Sequence, residues 1–170
     1  MQKYRLYPIL LSLIASFIIV AGTAFSHQRV IDVKYTQLTK EAKTQVDCLA
    51  ENIYYEAGYE KEEGQIAVAL VTLNRASDPR YPKDICSVVK QKIKSTCQFT
   101  WYCEAKRAMN AQVYDKVKKI AIMVYANYGV IRDITNGALY YHADYVDPKW
   151  KLQKTAVIGR HIFYKEKVGI

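Results

Sequence analysis

The fold is decided by the stretch Cys48-Leu49-Ala50-Glu51-Asn52-Ile53-Tyr54-Tyr55-Glu56-Ala57-Gly58. Apolar side chains recur through it and just upstream at steps of three and four residues, which predicts one face of an amphipathic helix from Thr39 onward. Gly58 predicts the end of that helix, since glycine commonly follows a helix terminus. The predicted buried face consists of Ala42, Val46, Leu49, Ile53 and Ala57.

Glu56 is the strongest candidate for a chemical role. It lies three residues after Ile53 and seven after Leu49, so it borders the apolar face, and it falls in the last helical turn. Burial and the negative end of the helix dipole both disfavour a carboxylate and predict a raised pKa. A carboxyl that stays protonated near neutral pH suits a general acid for glycosidic bond cleavage. The alternative is a solvated or salt-bridged glutamate at a helix end.

The rest of the chain predicts more helices and then a change of period. A second helix begins near Glu62 and ends near Arg75, a short one covers residues 85–89, and a long one runs from about Glu104 to Gly129. Residues 77–83 and 95–103 are predicted loops. The tyrosine- and valine-rich runs 138–143 and 156–164 are typical of strands. The predicted fold class is α+β, mostly helical, with a small sheet or hairpin. Glu60, Glu62 and Glu63 near the second helix start are weaker chemical candidates, because helix starts attract acids for dipole reasons alone.

An apolar segment precedes this domain. Lys3 and Arg5 are followed by an uncharged run over residues 6–26. As a helix, residues 9–25 would span roughly 26 Å, just enough to cross a bilayer. A transmembrane anchor, a cleaved signal peptide and a segment later released from the membrane all remain open. The predicted domains are therefore residues 1–26 as anchor or signal, 27–38 as linker and 39–170 as the catalytic domain.

Composition limits the class of protein. The 170 residues are 51% hydrophobic and 24% charged, which fits one globular domain with a real core and excludes a disordered chain. Lysine and arginine total 25 against 16 acids, a net charge of +9, so anionic partners are favoured. Fifteen tyrosines suit partly wet surfaces such as sugar clefts, although many will simply fill half-buried positions. No phosphate-binding or dinucleotide-binding motif occurs, and neither a cofactor nor a nucleic-acid partner is expected.

The four cysteines all follow the apolar segment, and an even number in an exported domain predicts two disulfides. Four reduced, buried thiols are the alternative. Of the three possible connectivities we predict Cys97–Cys103, which closes a short loop, and by elimination Cys48–Cys86. The predicted location is membrane-anchored or secreted, with the catalytic domain on the periplasmic or extracellular side.

The two histidines of the globular part, His142 and His161, lie in the strand-like runs. A zinc site would need a third ligand such as Asp144, and no HExxH motif or spaced cysteine–histidine cluster is present. Structural or substrate-positioning roles are favoured, and no metal is predicted. A metal-dependent amidase or peptidase that uses these histidines remains the competing enzyme class.

Several blocks together resemble the cell wall hydrolases of the SleB/CwlJ type, the spore cortex-lytic enzyme family. They span residues 48–164. The chain departs from the family pattern directly after Glu56-Ala57: it has Gly58-Tyr59, whereas family members often have Arg-Gly. The blocks, in order, are residues 48–57, 63–69 (Glu-Gly-Gln-Ile-Ala-Val-Ala), 71–75 (Val-Thr-Leu-Asn-Arg), 82–89 (Pro-Lys-Asp-Ile-Cys-Ser-Val-Val), 98–101 (Gln-Phe-Thr-Trp), 137–143 (Gly-Ala-Leu-Tyr-Tyr-His-Ala), 148–150 (Pro-Lys-Trp) and 158–164 (Ile-Gly-Arg-His-Ile-Phe-Tyr).

The resemblance implies a lysozyme-like catalytic domain, related in fold to lytic transglycosylases, that acts on peptidoglycan with Glu56 as its acid. A transglycosylase can work with one carboxyl, whereas a two-carboxylate hydrolase needs a second acid nearby. Glu63, Glu104 and Asp144 are the candidates for that second acid. A non-catalytic glycan-binding module with a structural Glu56 is the remaining alternative. Along the glycan cleft we expect Gln98, Trp101, Tyr140, Tyr141 and His142.

Overall fold

The structure is a computed structural model that describes residues 29–105 and 108–167. The predicted anchor or signal helix over residues 1–26 lies outside the described residues. Within the two described ranges, no helix is both long enough and apolar enough to cross a membrane. The predicted linker contains one short 3-10 helix, Tyr35–Gln37, which the sequence pattern did not indicate.

Helix α1 (Lys40–Ala57) occupies the predicted range, and the Thr39 side chain caps its start by accepting a hydrogen bond from the Ala42 amide. The helix ends directly before Gly58, as the sequence predicted, but not through the left-handed conformation that glycine often adopts after a helix. Gly58 has an ordinary right-handed φ of −57°. The Gln65 side chain instead donates hydrogen bonds to the Ala57 and Gly58 carbonyls at 3.2 and 2.9 Å. The terminal carbonyls that a helix leaves unpaired are thus satisfied by a fully buried amide from the next helix.

Helices α2 (Glu62–Ser77), α3 (Ile85–Val89) and a later long helix pack around α1, in the order that the sequence predicted. The core is built from their apolar faces. Its largest fully buried aliphatic members include Val46, Leu49, Ile53, Leu70, Val88, Val89, Val117 and Val124.

Two predictions between α3 and the long helix are wrong. The expected loop 95–103 contains strand β2 (Thr96–Cys97), which pairs with β1 (Lys92–Ile93), and the one-turn helix α4 (Thr100–Cys103). The long helix α5 (Ala111–Ala126) begins about seven residues later than expected. It starts there because the Asn110 side chain caps the Val113 amide at 3.1 Å, while the Asn110 amide donates to Tyr54 Oη at 2.8 Å.

The small sheet predicted near the end of the chain is present, with three antiparallel strands in the order β3–β5–β4. They are β3 (Tyr140–Ala143), β4 (Gln153–Ile158) and β5 (His161–Lys165). The run 156–164, expected as one strand, is two strands joined at Gly159-Arg160. Gly159 has a φ of +57°, a left-handed conformation that glycine adopts without strain.

Side chains alternate between the two faces of this sheet. Tyr141 on β3 is paired with Phe163 on β5, and Phe163 is fully buried against Ala67 and Val71 of α2. Tyr141 therefore faces the helices. His142, its neighbour on β3, faces the opposite way with Tyr164.

Both predicted disulfides are formed. Cys48–Cys86 joins α1 to α3 and Cys97–Cys103 joins β2 to α4, with Cα separations of 5.2 and 6.1 Å. The first fixes the helix that carries Glu56 against its neighbour, and the second fixes the short segment that carries Trp101.

Candidate active site

Glu56 lies in the last turn of α1, partly buried, between two cavities. The smaller, of about 210 Å³, is bounded by Trp101 and Glu104 on the far side. The larger, of about 590 Å³, is bounded by Tyr59, Glu60 and Arg160. Glu56 and Tyr55 line both cavities. Glu56 thus borders a cavity on each side of the end of α1.

Tyr141 reaches Glu56 from the inward face of the sheet. Its hydroxyl donates a hydrogen bond to Glu56 Oε2 at 3.0 Å. Burial raises the pKa of Glu56 above the usual glutamate value, while the Tyr141 hydrogen bond and the charge of Arg75 oppose the rise without cancelling it. The raised pKa that the helix pattern predicted therefore has a structural cause, namely removal of the carboxyl from water.

Arg75 supplies the positive charge behind Glu56 and Tyr141. It is only 3% exposed, and its Nε donates to the Leu139 carbonyl at 2.7 Å. The guanidinium lies over the ring of Phe99 at 5.3 Å. Because Leu139 directly precedes β3, this contact holds the strand that carries Tyr141 against α2.

Neighbouring Asn74 reinforces the same junction. Its side-chain amide donates to Asp133 Oδ2 at 2.9 Å and to the Ala138 carbonyl at 3.2 Å, and its oxygen accepts from Tyr128 at 3.0 Å. Asp133 also accepts from the Gly137 amide at 2.8 Å. The turn that leads into β3 is therefore held by a partly buried polar network rather than by apolar packing alone.

Trp101 forms the wall of the smaller cavity and is fixed by Asn52. The indole Nε1 donates to Asn52 Oδ1 at 3.2 Å, and Asn52 Nδ2 donates to Thr72 Oγ1 at 3.0 Å. The ring of Tyr55 stacks on Trp101 with centroids 4.5 Å apart. Sequence reasoning missed Asn52. The available signal was a polar residue one turn before Glu56 on an otherwise apolar stretch.

A second carboxyl, Glu60, lines the larger cavity and is held by the β4–β5 turn. Its Oε1 lies 3.0 Å from His161 Nδ1, and its Oε2 accepts from the Arg160 amide at 3.3 Å. Glycines at 64 and 159 make room, since a Cβ there would lie 2.5 and 2.1 Å from Oε2. Burial lowers the pKa of His161, opposed by the charge of Glu60. The ring of His161 meets that of Tyr141 edge-on, with centroids 5.1 Å apart.

The structure brings two of the five predicted cleft residues, Trp101 and Tyr141, to Glu56. It does not bring Tyr140 and His142 there, because strand alternation places both on the outward face of the sheet. Gln98 is not among the residues that line either cavity beside Glu56. Its backbone amide donates to the Gln91 carbonyl at the base of the β1–β2 hairpin, at 2.9 Å.

The three acids expected as possible second carboxyls are also separated. Glu104 lines the smaller cavity, so it shares the cleft with Glu56. Glu63 is exposed in the first turn of α2. Asp144 follows β3 and lies 3.5 Å from an Arg160 nitrogen.

The residues considered for a metal site do not converge. His142 and His161 face opposite sides of the sheet, since His142 pairs with Ile162 and His161 pairs with Ala143. Across the part of the chain that the structure describes, no group of three or more His, Cys, Asp or Glu side chains is arranged to hold a metal ion.

Comparison with known proteins shows the family to which the chain belongs. The family described as Cell Wall Hydrolase matches residues 59–164. The spore cortex-lytic enzyme of Halalkalibacterium halodurans is 28% identical over 124 residues, and that of Bacillus subtilis is 29% identical over 124. These matches cover 69% and 68% of this chain but 34% and 35% of the relatives. The chain thus corresponds to about a third of the length of these curated relatives.

Two solved structures have a fold similar to that of this chain. The catalytic domain of the Bacillus cereus SleB protein has a TM-score of 0.56 and 25% identity, covering 72% of this chain and 91% of that one. The catalytic domain of the germination-specific lytic transglycosylase SleB from Bacillus anthracis has a TM-score of 0.56 and 27% identity, covering 76% and 98%. The described helices and small sheet therefore share the fold of these two SleB catalytic domains.

Proposed function

Because the chain belongs to the cell wall hydrolase family, we propose that it cleaves the glycan strand of peptidoglycan at the muramyl glycosidic bond, with Glu56 as general acid. One observation carries the proposal: Glu56, whose pKa is raised by burial, lines two neighbouring cavities. A glycan strand that crosses this point would have sugars on both sides of the carboxyl. The bond that joins them would then lie at the acid.

The first step is proton transfer from Glu56 to the glycosidic oxygen, as the bond from that oxygen to the muramyl anomeric carbon breaks. Burial raises the pKa of Glu56 and so favours its protonated form before the step. Afterwards the carboxylate is stabilised by the Tyr141 hydrogen bond and by the charge of Arg75. These two groups therefore favour the charge that develops on Glu56.

We propose that the muramyl C6 hydroxyl then attacks the anomeric carbon of its own sugar. The new bond joins C1 to O6, and the proton of that hydroxyl passes to the Glu56 carboxylate, which restores the acid. One residue thus gives and receives the proton, and no water is consumed. The attacking hydroxyl belongs to the bound sugar, which gives it a large advantage in effective concentration over bulk water.

Attack by water is the competing course within the same function. It would need a base to activate the water, at a separation that two-carboxylate glycosidases hold fixed. Glu60 and Glu104 are the acids that line the cavities on either side of Glu56. Glu60 is already engaged by His161 and the Arg160 amide, which argues against it as a free base.

The products distinguish these courses. Purified sacculi are digested with the protein, and the released muropeptides are measured by mass spectrometry. We expect 1,6-anhydro muramyl ends, lighter by one water than hydrolysed ends. Reducing muramic acid as the main product would replace transglycosylation with hydrolysis. Cut stem peptides on intact glycan would identify an amidase or peptidase, and binding without soluble product would identify a glycan-binding module.

We also propose that the domain works outside the cytosol, membrane-anchored or secreted. Its substrate lies on the periplasmic or extracellular side of the membrane. Two disulfides suit an oxidising compartment. Attachment to the membrane would depend on residues 1–26, which lie outside the described ranges.

A further inference from the structure

We propose that the outward face of the small sheet is a second glycan-binding site, which holds peptidoglycan independently of the cleft at Glu56. The choice of ligand rests on the proposed function. The site is an open cavity of about 600 Å³, and none of its lining residues lines either cavity beside Glu56. Prominent among them are His142, Asp147, Lys149, Trp150 and Tyr164.

The sheet itself separates the two sites. On β3, Tyr141 points inward to Glu56, whereas His142, the next residue, points outward into this cavity. On β5, Phe163 is fully buried, while Ile162 and Tyr164 line the cavity. A ligand on the outward face therefore cannot be the same sugar that contacts Glu56.

Aromatic side chains form the floor of the cavity. Trp150 is 40% exposed although three rings pack around it, namely those of Tyr140, His142 and Tyr164, with centroids 6.1, 5.3 and 5.7 Å away. The packing holds the indole in place, and the exposed part remains available. The C–H faces of a sugar ring can pack on such an indole, and rigid aromatic rings lose little conformational freedom on binding.

The floor is rigid because its polar atoms are already paired within the protein. His142 Nε2 lies 3.0 Å from Tyr164 Oη, and its Nδ1 lies 2.8 Å from the Ala143 carbonyl oxygen. The Tyr140 hydroxyl is hydrogen-bonded to Glu166. These contacts leave the ring surfaces, rather than the ring nitrogens, to meet a ligand.

The rim of the cavity supplies polar groups suited to sugar hydroxyls and N-acetyl groups. Asp144, Asp147 and Lys149 lie at the edge, and Asp147 is paired with Lys149. The two carboxylates disfavour an anionic lipid headgroup or a phosphate. An aromatic floor with carboxylate and ammonium groups beside it suits a glycan, which has C–H faces to pack on the rings and hydroxyl and amide groups to bind the polar rim.

The test uses the Glu56→Gln protein, so that the probe is bound and not cleaved. Its two tryptophans, Trp101 and Trp150, each give one indole N–H signal in a ¹H–¹⁵N spectrum. Soluble glycan fragments released from sacculi by muramidase are titrated in. We expect the Trp150 signal to shift and saturate with its own dissociation constant, distinct from that of Trp101.

The two signals also separate this proposal from the proposed function. A shift of Trp101 alone would overturn the second site and leave the catalytic cleft intact. A shift of Trp150 alone would support the second site and count against glycan binding at Glu56. If neither signal moves, both proposals fail.

A matched pair of variants gives a second measurement. In the same Glu56→Gln background, Trp150→Ala should weaken binding to purified sacculi about tenfold, since stacking on one ring is worth roughly that factor. Tyr145→Ala is the control, because Tyr145 is 78% exposed and does not line the cavity. Equal binding by the two variants would overturn the proposal.

Discussion

The Tyr141 hydroxyl donates a 3.0 Å hydrogen bond to Glu56 Oε2, and thereby links two residues 85 positions apart in the chain. The bond joins the last turn of α1 to the central part of β3. Arg75, anchored on the Leu139 carbonyl, holds that strand in position. The acid, the donor that stabilises its charged form and the cation behind them thus come from three separate elements.

Tyr141→Phe should lower kcat by about 10- to 100-fold, the range for a hydrogen bond to a charged group. The hydrogen bond lowers the pKa of Glu56, so its loss should raise that pKa further. Since the acid must be protonated, the basic limb of the pH–rate profile should move to higher pH. A profile measured on sacculi that stays in place would show that Tyr141 does not act on Glu56.

Glu56→Gln should change the pH dependence of stability in a defined direction. Burial raises the pKa of Glu56 in the folded state, so ionisation there costs stability as pH rises above about 4.3, the ordinary glutamate value. The variant should therefore gain stability relative to wild type between acidic and neutral pH. Urea unfolding at several pH values measures the difference. A difference that is flat with pH would contradict the raised pKa.

Removal of the longer disulfide should destabilise the domain more than removal of the shorter one. In the chain-entropy model, Cys48–Cys86, with a sequence separation of 38, is worth about 4 kcal/mol. Cys97–Cys103, with a separation of 6, is worth about 2 kcal/mol in the same model. Paired cysteine-to-serine variants, unfolded in denaturant without reductant, test the order. The reverse order would show that native contacts outweigh loop closure.

Asn52→Ala should both destabilise the protein and impair activity. It leaves the buried Trp101 indole N–H without its acceptor, a cost of about 1–3 kcal/mol, and removes the donor to Thr72 Oγ1, which keeps its own hydrogen bond to the Val68 carbonyl. Trp101 would also lose the contact that orients it in the cleft, so KM should rise. Thr72→Ser keeps the hydroxyl and serves as the control. An unchanged KM in a destabilised Asn52→Ala protein would limit Asn52 to a structural role.

Local patterns predicted the parts of the fold that local physics determines. The periodicity of α1, the acids at the start of α2 and the turn residues before α3 gave these three helices nearly to the residue. The start of α5 was missed because it is set by Asn110, whose amide contacts Tyr54. Tyr54 lies 56 positions earlier in the sequence, so no local pattern indicates this contact. The segment 95–103 was missed because its strand and its helical turn are too short for any periodicity.

The candidate site was predictable only in part. The position of Glu56 at the edge of an apolar face was enough to select it as a candidate and to predict that its pKa is raised. Successive side chains in a strand point to opposite faces, so Tyr141 and His142 could not face the same side of the sheet. The prediction that Tyr140, Tyr141 and His142 line one cleft did not take this alternation into account. The contacts of Asn52 with Trp101 and of Glu60 with His161 depend on tertiary packing, which no sequence spacing reveals.

The most direct test of the central claim compares wild type with Glu56→Gln on purified sacculi, measured as soluble muropeptides released over time. Glutamine keeps the size of the side chain and an acceptor for Tyr141 but cannot donate a proton to the glycosidic oxygen. We expect release to fall by at least about 100-fold while circular dichroism shows a folded protein. Release at near wild-type rate by folded Glu56→Gln would contradict the assignment of Glu56 as the acid.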